Sequence, residues 1–176
     1  MNTYARPVVN ETEAAVELVA IDDAVLDELV RVAVTEADAN EVTPPITPGQ
    51  NWTPARESWL RACHRDRRAG FDGPLQESTW AITLDGRVVG SIRLRRLEAG
   101  AAETGIWLAR SARGRGIGHG AFEILLAEAH ELGVTTVVAD TTAANAGALG
   151  ILRRAGFVIE PPDADGRVRA SLVLAR

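Results

Sequence analysis

The residues with the clearest chemical use lie in six consecutive positions, Arg113-Gly114-Arg115-Gly116-Ile117-Gly118. A helix opens with backbone N–H groups that have no partner inside it, and its dipole adds partial positive charge there. Glycines lack a Cβ, so the chain can curl around an anion and turn those N–H groups toward it. Arg113 and Arg115 bring fork-shaped cations matched to phosphate oxygens. With His119 directly after the turn, a pyrophosphate is the ligand that this run fits.

Such a turn works only if a strand delivers it and a helix follows it. Both are predicted here. Ala102 to Leu108 reads as a strand, and Ile117, Ala121, Ile124, Leu125 and Leu132 share one helical face at three- and four-residue spacing. Three phosphate-binding patterns compete. A Walker loop needs a lysine after its last glycine, and the chain contains no lysine. Gly116-Ile-Gly118-His-Gly-Ala121 reads as the G-x-G-x-x-A dinucleotide fingerprint, with Asp140 at the end of a later strand. That fingerprint needs its first glycine tight against the strand, whereas Leu108 to Gly114 is a long basic lead-in. The rest of the chain is also too short for two mononucleotide-binding halves. The third pattern, [Arg/Gln]-x-x-Gly-x-[Gly/Ala], is met by Arg113, Gly116 and Gly118.

With that third pattern the sequence resembles the GCN5-related N-acetyltransferase (GNAT) superfamily. Downstream, Asn145-x-x-Ala148 followed by Ile151-Leu152-Arg153-Arg154-Ala155-Gly156-Phe157 is similar to that family's N-x-x-A segment and its helix ending in Gly-Phe. The likeness covers about residues 79 to 160 by motif and the N-terminal third by order of elements. It implies an α/β fold with one central, mixed, mostly antiparallel sheet of six to seven strands and about four helices, in a single domain over residues 1–176. The sheet is expected to splay between the strand ending at Leu108 and the strand at Val134 to Ala139. The resemblance also implies acetyl-coenzyme A (acetyl-CoA) as cosubstrate and no metal. Arg113, Gly114, Arg115, Gly116, Ile117, Gly118 and His119 fall around its phosphates, the backbone of Trp107 and Leu108 along its pantetheine arm, and Asn145 nearby.

Direct transfer of an acetyl group to an amine sets three demands. The amine must lose a proton, the acyl oxygen needs a hydrogen-bond donor as it gains charge, and the thiolate must leave. Two carboxylates qualify for the first. Glu103 stands on the strand before the turn, where this family often has its base. Asp140-Thr-Thr-Ala-Ala-Asn145 is similar to a segment of aminoglycoside 6′-N-acetyltransferases in which the aspartate contacts the amine. Asp140 has a competing use as the cap of the helix beginning near Ala143, a use open also to Thr141 and Thr142. The backbone N–H of Leu108 is the expected oxyanion donor. The family's tyrosine on the last helix is replaced by Leu152, and the only tyrosine is Tyr4, so Ser111 or water is left as the proton source for the thiolate.

Trp52, Asp140 and Glu103 are expected to meet the acceptor, with Trp52 stacking on a sugar ring and Trp59 in the core. A small cationic amine, favoured as an aminoglycoside, is the expected acceptor. Glu103-x-Gly105-x-Trp107-Leu108 also looks like relatives that modify the N-terminal amine of ribosomal proteins, and a noncatalytic acyl-CoA sensor is the third reading. Formal net charge is −5, which argues against a nucleic-acid partner. Residues 1 to 41 carry ten Asp or Glu and only Arg6 and Arg31, which near a substrate cleft would attract a cationic acceptor and otherwise form a solvated helix face. Cys63 is the only cysteine. No leader or membrane-spanning run is visible, so the expected location is cytoplasmic, with a homodimer left open.

The chain in order predicts a loose lead-in at 1 to 12, a strand at Ala15 to Ile21 and a helix capped by Asp22 or Asp23 that runs to about Asp38, with Val25, Leu29, Val32 and Ala33 buried. A proline-rich loop from Glu41 to Trp52 precedes a helix capped at Thr53-Pro54 and ending near Gly70. His64 is expected to face solvent. Strands follow at Ser78 to Leu84, Val88 to Leu97 and Ala102 to Leu108, and after the central helix a strand buried on both faces at Val134 to Ala139. A helix from Ala143 to Ala155 and a hairpin of Phe157 to Ile159 with Arg167 to Leu174 complete the chain.

Overall fold

Seven strands, β1 (Val16–Ala20), β2 (Glu77–Leu84), β3 (Arg87–Arg96), β4 (Ala101–Leu108), β5 (Thr136–Thr142), β6 (Val158–Ile159) and β7 (Arg167–Val173), form one sheet in the order β1-β2-β3-β4-β5-β7-β6. The computed structural model describes residues 15–175, so the expected lead-in and Tyr4 lie outside the described residues. Among the described residues five α-helices complete the order: α1 (Asp23–Glu36), α2 (Ala39–Val42), α3 (Pro54–Asp66), α4 (Ile117–Glu131) and α5 (Ala146–Arg154). Every strand pair is antiparallel except β4 with β5. The Asp85-Gly86 turn between β2 and β3 has positive φ at both residues, 50° and 75°, which suits the right-handed twist of a hairpin.

Alternation along the strands sends side chains to two cores. Ile82, Ile92, Leu94, Ala102, Val137 and Ala139 pack with Phe122 and Leu125 of α4. Ala81 and Val88 pack on the other face with Leu26, Leu29, Val30 and Ala33 of α1 and Leu60 of α3. On α4, Phe122 is buried, its ring edge-on to Phe157 at 6.0 Å, while Ile124 is 37% exposed. The expected stripe on this helix is therefore rotated: a core-facing Phe122 displaces Ile124. On α1, Leu26 and Val30 are buried and Val25 only half-buried.

Pairing between β4 and β5 runs from Ala101↔Thr136 to Thr104↔Ala139 and stops there, although β4 continues to Leu108 and β5 to Thr142. The two strands therefore fork at Gly105 and Asp140. The start of α4 and the middle of α5 meet over the fork: a Cβ on Gly118 would lie 2.6 Å from Ile151 Cδ1 and 3.2 Å from Leu108 Cδ1. Glycine at 118 is what lets these three segments touch.

The acidic residues of α1 and α2 form a seam with arginines. Asp23 pairs with Arg65 and Arg68 and Asp27 with Arg61, all on α3 or just beyond it. Glu36 accepts from Ser111, Asp38 from Arg110 and Glu41 from Arg113, all in the segment leading to α4. Exposed pairs of this kind contribute little each, but they leave few free carboxylates to attract a cation.

His64 differs from the expectation. It is 5% exposed beneath β2, with Nδ1 3.0 Å from Thr79 Oγ1. Its arginine-rich flanks make it look like a surface residue, but this face of α3 turns inward. Burial, helped by the charge of Arg67, pushes its pKa down to about 4. The unfolded chain binds that proton near 6.5, so stability supplied by neutral His64 is complete above pH 6.5 and is lost as pH falls toward 4, about 3 kcal/mol in all. Between pH 6.5 and 5.0, urea unfolding should show the wild type losing about 2 kcal/mol more than His64→Gln; equal losses would mean that the imidazole is not buried neutral.

Candidate active site

A cavity of about 880 Å³ passes through the sheet at the fork. Gly114, Gly116, Gly118 and His119 from the turn and first residues of α4, with Asn145 to Ala148 and Ile151 of α5, line it on one face. Trp107, Asn40 and Glu41 line it from the α1 side. Alternate residues of β4 reach it from both faces, because the missing strand pairing leaves the sheet open there.

Backbone polarity at the fork follows from register. Ala109 N–H donates to Val89 C=O at 2.8 Å and Trp107 stands opposite Ser91. In an antiparallel ladder alternate residues turn their N–H and C=O to the partner strand. Ile106 and Leu108 therefore direct theirs away from β3 and into the gap, where β5 has already diverged. Leu108 N–H, expected as the oxyanion donor, is thus turned into the gap. The backbone of Trp107, expected along the pantetheine arm, pairs with β3 instead; Ile106 takes its place at the gap, and Trp107 lines the cavity.

The opening of α4 has a further deficit. α1, α3 and α5 are each capped by a side chain, Asp22, Thr53 and Asn145 respectively. α4 begins at Gly116, with φ 79° in the left-handed region and no side-chain cap. A Cβ at Gly114 or Gly116 would meet nothing within 4 Å, so the turn borders open space beside the uncapped start of α4. His119 lines the same wall, its Nδ1 buried without a hydrogen-bond partner. Free N–H groups, open volume and an orphaned ring nitrogen fit a diphosphate.

The remaining residues singled out from the sequence divide. Arg115 is exposed and Ile117 buried, so the latter offers only its backbone. Arg113 turns inward: its Nε and Nη2 donate to Leu108 C=O at 3.1 and 3.0 Å, and Nη2 lies 2.6 Å from Glu41 Oε2. It fastens the end of β4 to α2. Asn145 lines the cavity, but its Oδ1 accepts from Ala148 N–H at 3.0 Å as the cap of α5, so Asp140 is not that cap. Asp140 is exposed, stands opposite Arg169 of β7, and forms no ion pair among the described residues. Glu103 is held by Arg93 at 2.5 Å and by Arg95. Burial raises its pKa, yet hydrogen bonds and charge from the two arginines outweigh that and lower it.

Ser111 donates its hydroxyl and N–H to Glu36, whose pKa those bonds lower, and does not line the cavity. Trp52 donates Nε1 to Ala37 C=O at 2.9 Å and packs into the α1 core, so the expected stacking platform is a fastening between layers. Trp59 joins that core half-buried.

Sequence reasoning missed Asn40, Glu41 and Arg56. Asp38-x-x-Glu41 is a capping box at the start of α2, a readable signal. Arg56 gave none: an arginine in the first turn of a helix reads as surface, yet it is 0% exposed. Its Nε donates to Thr47 Oγ1, Nη1 to Asn40 Oδ1 at 2.7 Å and to Thr43 Oγ1, and Nη2 to the carbonyls of Thr47 and Gly49. All five donors are engaged, and no partner is a carboxylate.

Residues 16–158 match the family described as acetyltransferase (GNAT) domain. No curated protein matches the chain. Among solved structures, the GNAT domain of S. lividans PAT is similar at 22% identity, over 92% of this chain and 90% of that one, with a TM-score of 0.69. The ribosomal L7/L12 α-N-protein acetyltransferase RimL, in complex with coenzyme A, is 16% identical over 93% and 96%, TM-score 0.71. The microcin C7 self-immunity acetyltransferase MccE, in complex with acetyl-CoA and AMP, is 16% identical over 93% and 94%, TM-score 0.69.

Removing the Arg56 side chain strips the 43–49 loop of its central donor and leaves buried acceptors unpaired. Arg56→Ala should destabilise the protein by about 3 kcal/mol in chemical denaturation; a loss below about 0.5 kcal/mol, typical of surface substitutions, would show that the loop holds without it.

Proposed function

The chain belongs to the acetyltransferase (GNAT) domain family, and from that premise we propose that it moves the acetyl group of acetyl-CoA to the amine of an acceptor that reaches the fork from the α1 side. The observation that carries this reading is the uncapped glycine start of α4 opening onto a gap where Ile106 and Leu108 have no partner on β5. Bound there, acetyl-CoA supplies an acyl group activated as a thioester. Gly114, Gly116, the first N–H groups of α4 and Arg115 would hold its diphosphate, and the backbone of Ile106 and Leu108 its pantetheine arm.

The chain's own groups then meet the three demands. Leu108 N–H, fixed by the β3–β4 ladder, donates to the acyl oxygen as charge develops on it. Asp140, solvated and at the tip of the fork, accepts the ammonium proton directly or through water. As the amine nitrogen bonds to the acyl carbon, the carbon–sulfur bond breaks and the electron pair leaves on sulfur. A thiol of pKa about 8.5 is a fair leaving group without a dedicated acid, which suits a site where Leu152 is buried and Ser111 is bound to Glu36. Glu103, clasped by two arginines, takes up a proton less readily than a free carboxylate and serves to fix Arg93.

For the acceptor, the aminoglycoside reading retains the Asp140 segment but loses much of the acidic N-terminal surface, since Asp23, Asp27, Asp38 and Glu41 pair with arginines. The N-terminal amine of a protein gains some support from the likeness to RimL. Turnover of acetyl-CoA with a panel of amines and N-terminal peptides tests catalysis; binding without turnover on any of them would favour a sensor. Gly116→Val forces a β-branched residue into φ 79° and should weaken coenzyme A binding more than tenfold by calorimetry with the fold intact; unchanged affinity refutes the assigned cradle. Asp140→Asn should lower kcat at saturating acetyl-CoA more than tenfold. Should Glu103→Gln do so while Asp140→Asn does not, the base is Glu103.

A further inference from the structure

A second cavity, of about 400 Å³, lies at the opposite edge of the sheet. β1 ends at Ala20, opposite Trp80, while β2 extends past it to Glu77. The last turn of α3 and the residues after it close the notch that the shorter strand leaves. No lining residue is shared with the cavity at the fork, from which β3 separates it. Its size is that of a small-molecule site.

His64 gives this notch a fixed polar group. The residue is 5% exposed, and its Nδ1 is held by Thr79 Oγ1 at 3.0 Å. Nε2 has no partner among the described residues, yet it is not sealed in, and the side chain lines the notch. A hydroxyl donated to Nδ1 places the neutral ring's hydrogen on Nε2, and protonation makes both nitrogens donors. In both of those states Nε2 offers an N–H to a guest.

Arg67 and Arg68 line the same notch, whereas their counter-ions stand behind it. Arg67 Nε lies 2.9 Å from Glu77 Oε2, and its Nη1 donates to Cys63 C=O. Arg68 donates from Nε to Ile21 C=O and from Nη2 to Asp23. Nη2 of Arg67 and Nη1 of Arg68 are left without a hydrogen-bond partner among the described residues. The one carboxylate in the lining, Asp22, accepts from Val25 N–H through Oδ1 as the cap of α1. Two cations against one acid favour a negative guest. Ile21 and Trp80 add apolar surface beside them.

We propose that this notch binds a small organic anion, a carboxylate or a phosphate ester. Its charged group bonds to His64 Nε2 and to the unengaged guanidinium hydrogens of Arg67 and Arg68, and its apolar part lies against Ile21 and Trp80.

The His64 ring resonances in NMR, assigned by their loss in His64→Gln, report the site directly. The probes are butyrate and butyl phosphate, with butyramide and butylamine as neutral and cationic counterparts. At least one anion should shift the His64 signals saturably and bind at least tenfold tighter than butyramide or butylamine; which anion does so separates carboxylate from phosphate. An anion against the ring favours its charged form, so the His64 pKa should rise by about one unit or more in the complex. Ala20→Phe fills the notch from an exposed position, and Arg68→Gln removes one of its cations. Each should weaken binding at least fivefold while the rest of the amide spectrum stays in place. The His64 shift should persist when coenzyme A is added, which separates this site from the diphosphate cradle; failure of coenzyme A to bind bears on the acetyl-transfer reading alone. The assignment is overturned by the absence of a saturable shift with either anion, by the amide or amine binding as tightly, by loss of the shift on adding coenzyme A, or by wild-type affinity in either variant.

Discussion

Hydrogen-bond pairing of the backbone is the constraint on which this molecule depends. A strand inside a sheet normally satisfies both edges, and a buried N–H or C=O left alone loses about 1 to 3 kcal/mol. β4 satisfies its β3 edge along its whole length but its β5 edge only as far as Thr104. Leu108 C=O is recovered by Arg113, whereas the N–H groups of Ile106 and Leu108 open onto a cavity. Together with the uncapped start of α4, this makes a continuous line of backbone donors from the middle of the sheet to the first turn of a helix. The elements around it are rigid and paired, so the donors are preorganised and need little rearrangement on binding.

Electrostatics divides the molecule by face. All nineteen basic residues are arginine, and the planar guanidinium serves several ends that an ammonium would serve less well. Arg113 bonds a carbonyl and a carboxylate at once, and Arg56 distributes five bonds among a loop that has no other core. The acids of α1 and α2 face arginines of α3 and of the segment before α4, which ties α1 and α2 to the glycine turn. Much of the negative charge of α1 and α2 is thus matched by arginines at the surface, and the sign of the net charge says little about the cleft.

What was legible in the sequence was whatever local chemistry dictates. Asp22-Asp23, Thr53-Pro54 and Asp85-Gly86 announce their caps and turn, and the apolar, β-branched run at Val134 to Ala139 announces a strand covered on both sides, which in the structure begins at Thr136. The glycine turn was legible because its spacing has few other uses. Tertiary choices were not: the direction in which α4 rotates is decided by the fit of Phe122 against Phe157, since Ile124 satisfies the same periodicity. His64 and Arg56 were unreadable for a related reason. Composition around them is that of a surface, and only the packing of α3 against β2 and the 43–49 loop buries them.

The two carboxylates on the α1 side show how position on one strand face can mislead. Glu103 and Asp140 share that face of the sheet by register, though neither lines the cavity, and sequence gives each a precedent. Their surroundings separate them. Glu103 lies in the paired part of β4, among arginines of the adjacent β3, so its negative charge is stabilised and its proton affinity reduced. Asp140 lies one step past the last paired residue, where the strands diverge and solvent enters. A base must both reach the reacting amine and be willing to hold its proton. The fork thus separates the two carboxylates: inside the paired region Glu103 orders neighbouring arginines, and beyond it Asp140 stands exposed, with no ion pair among the described residues.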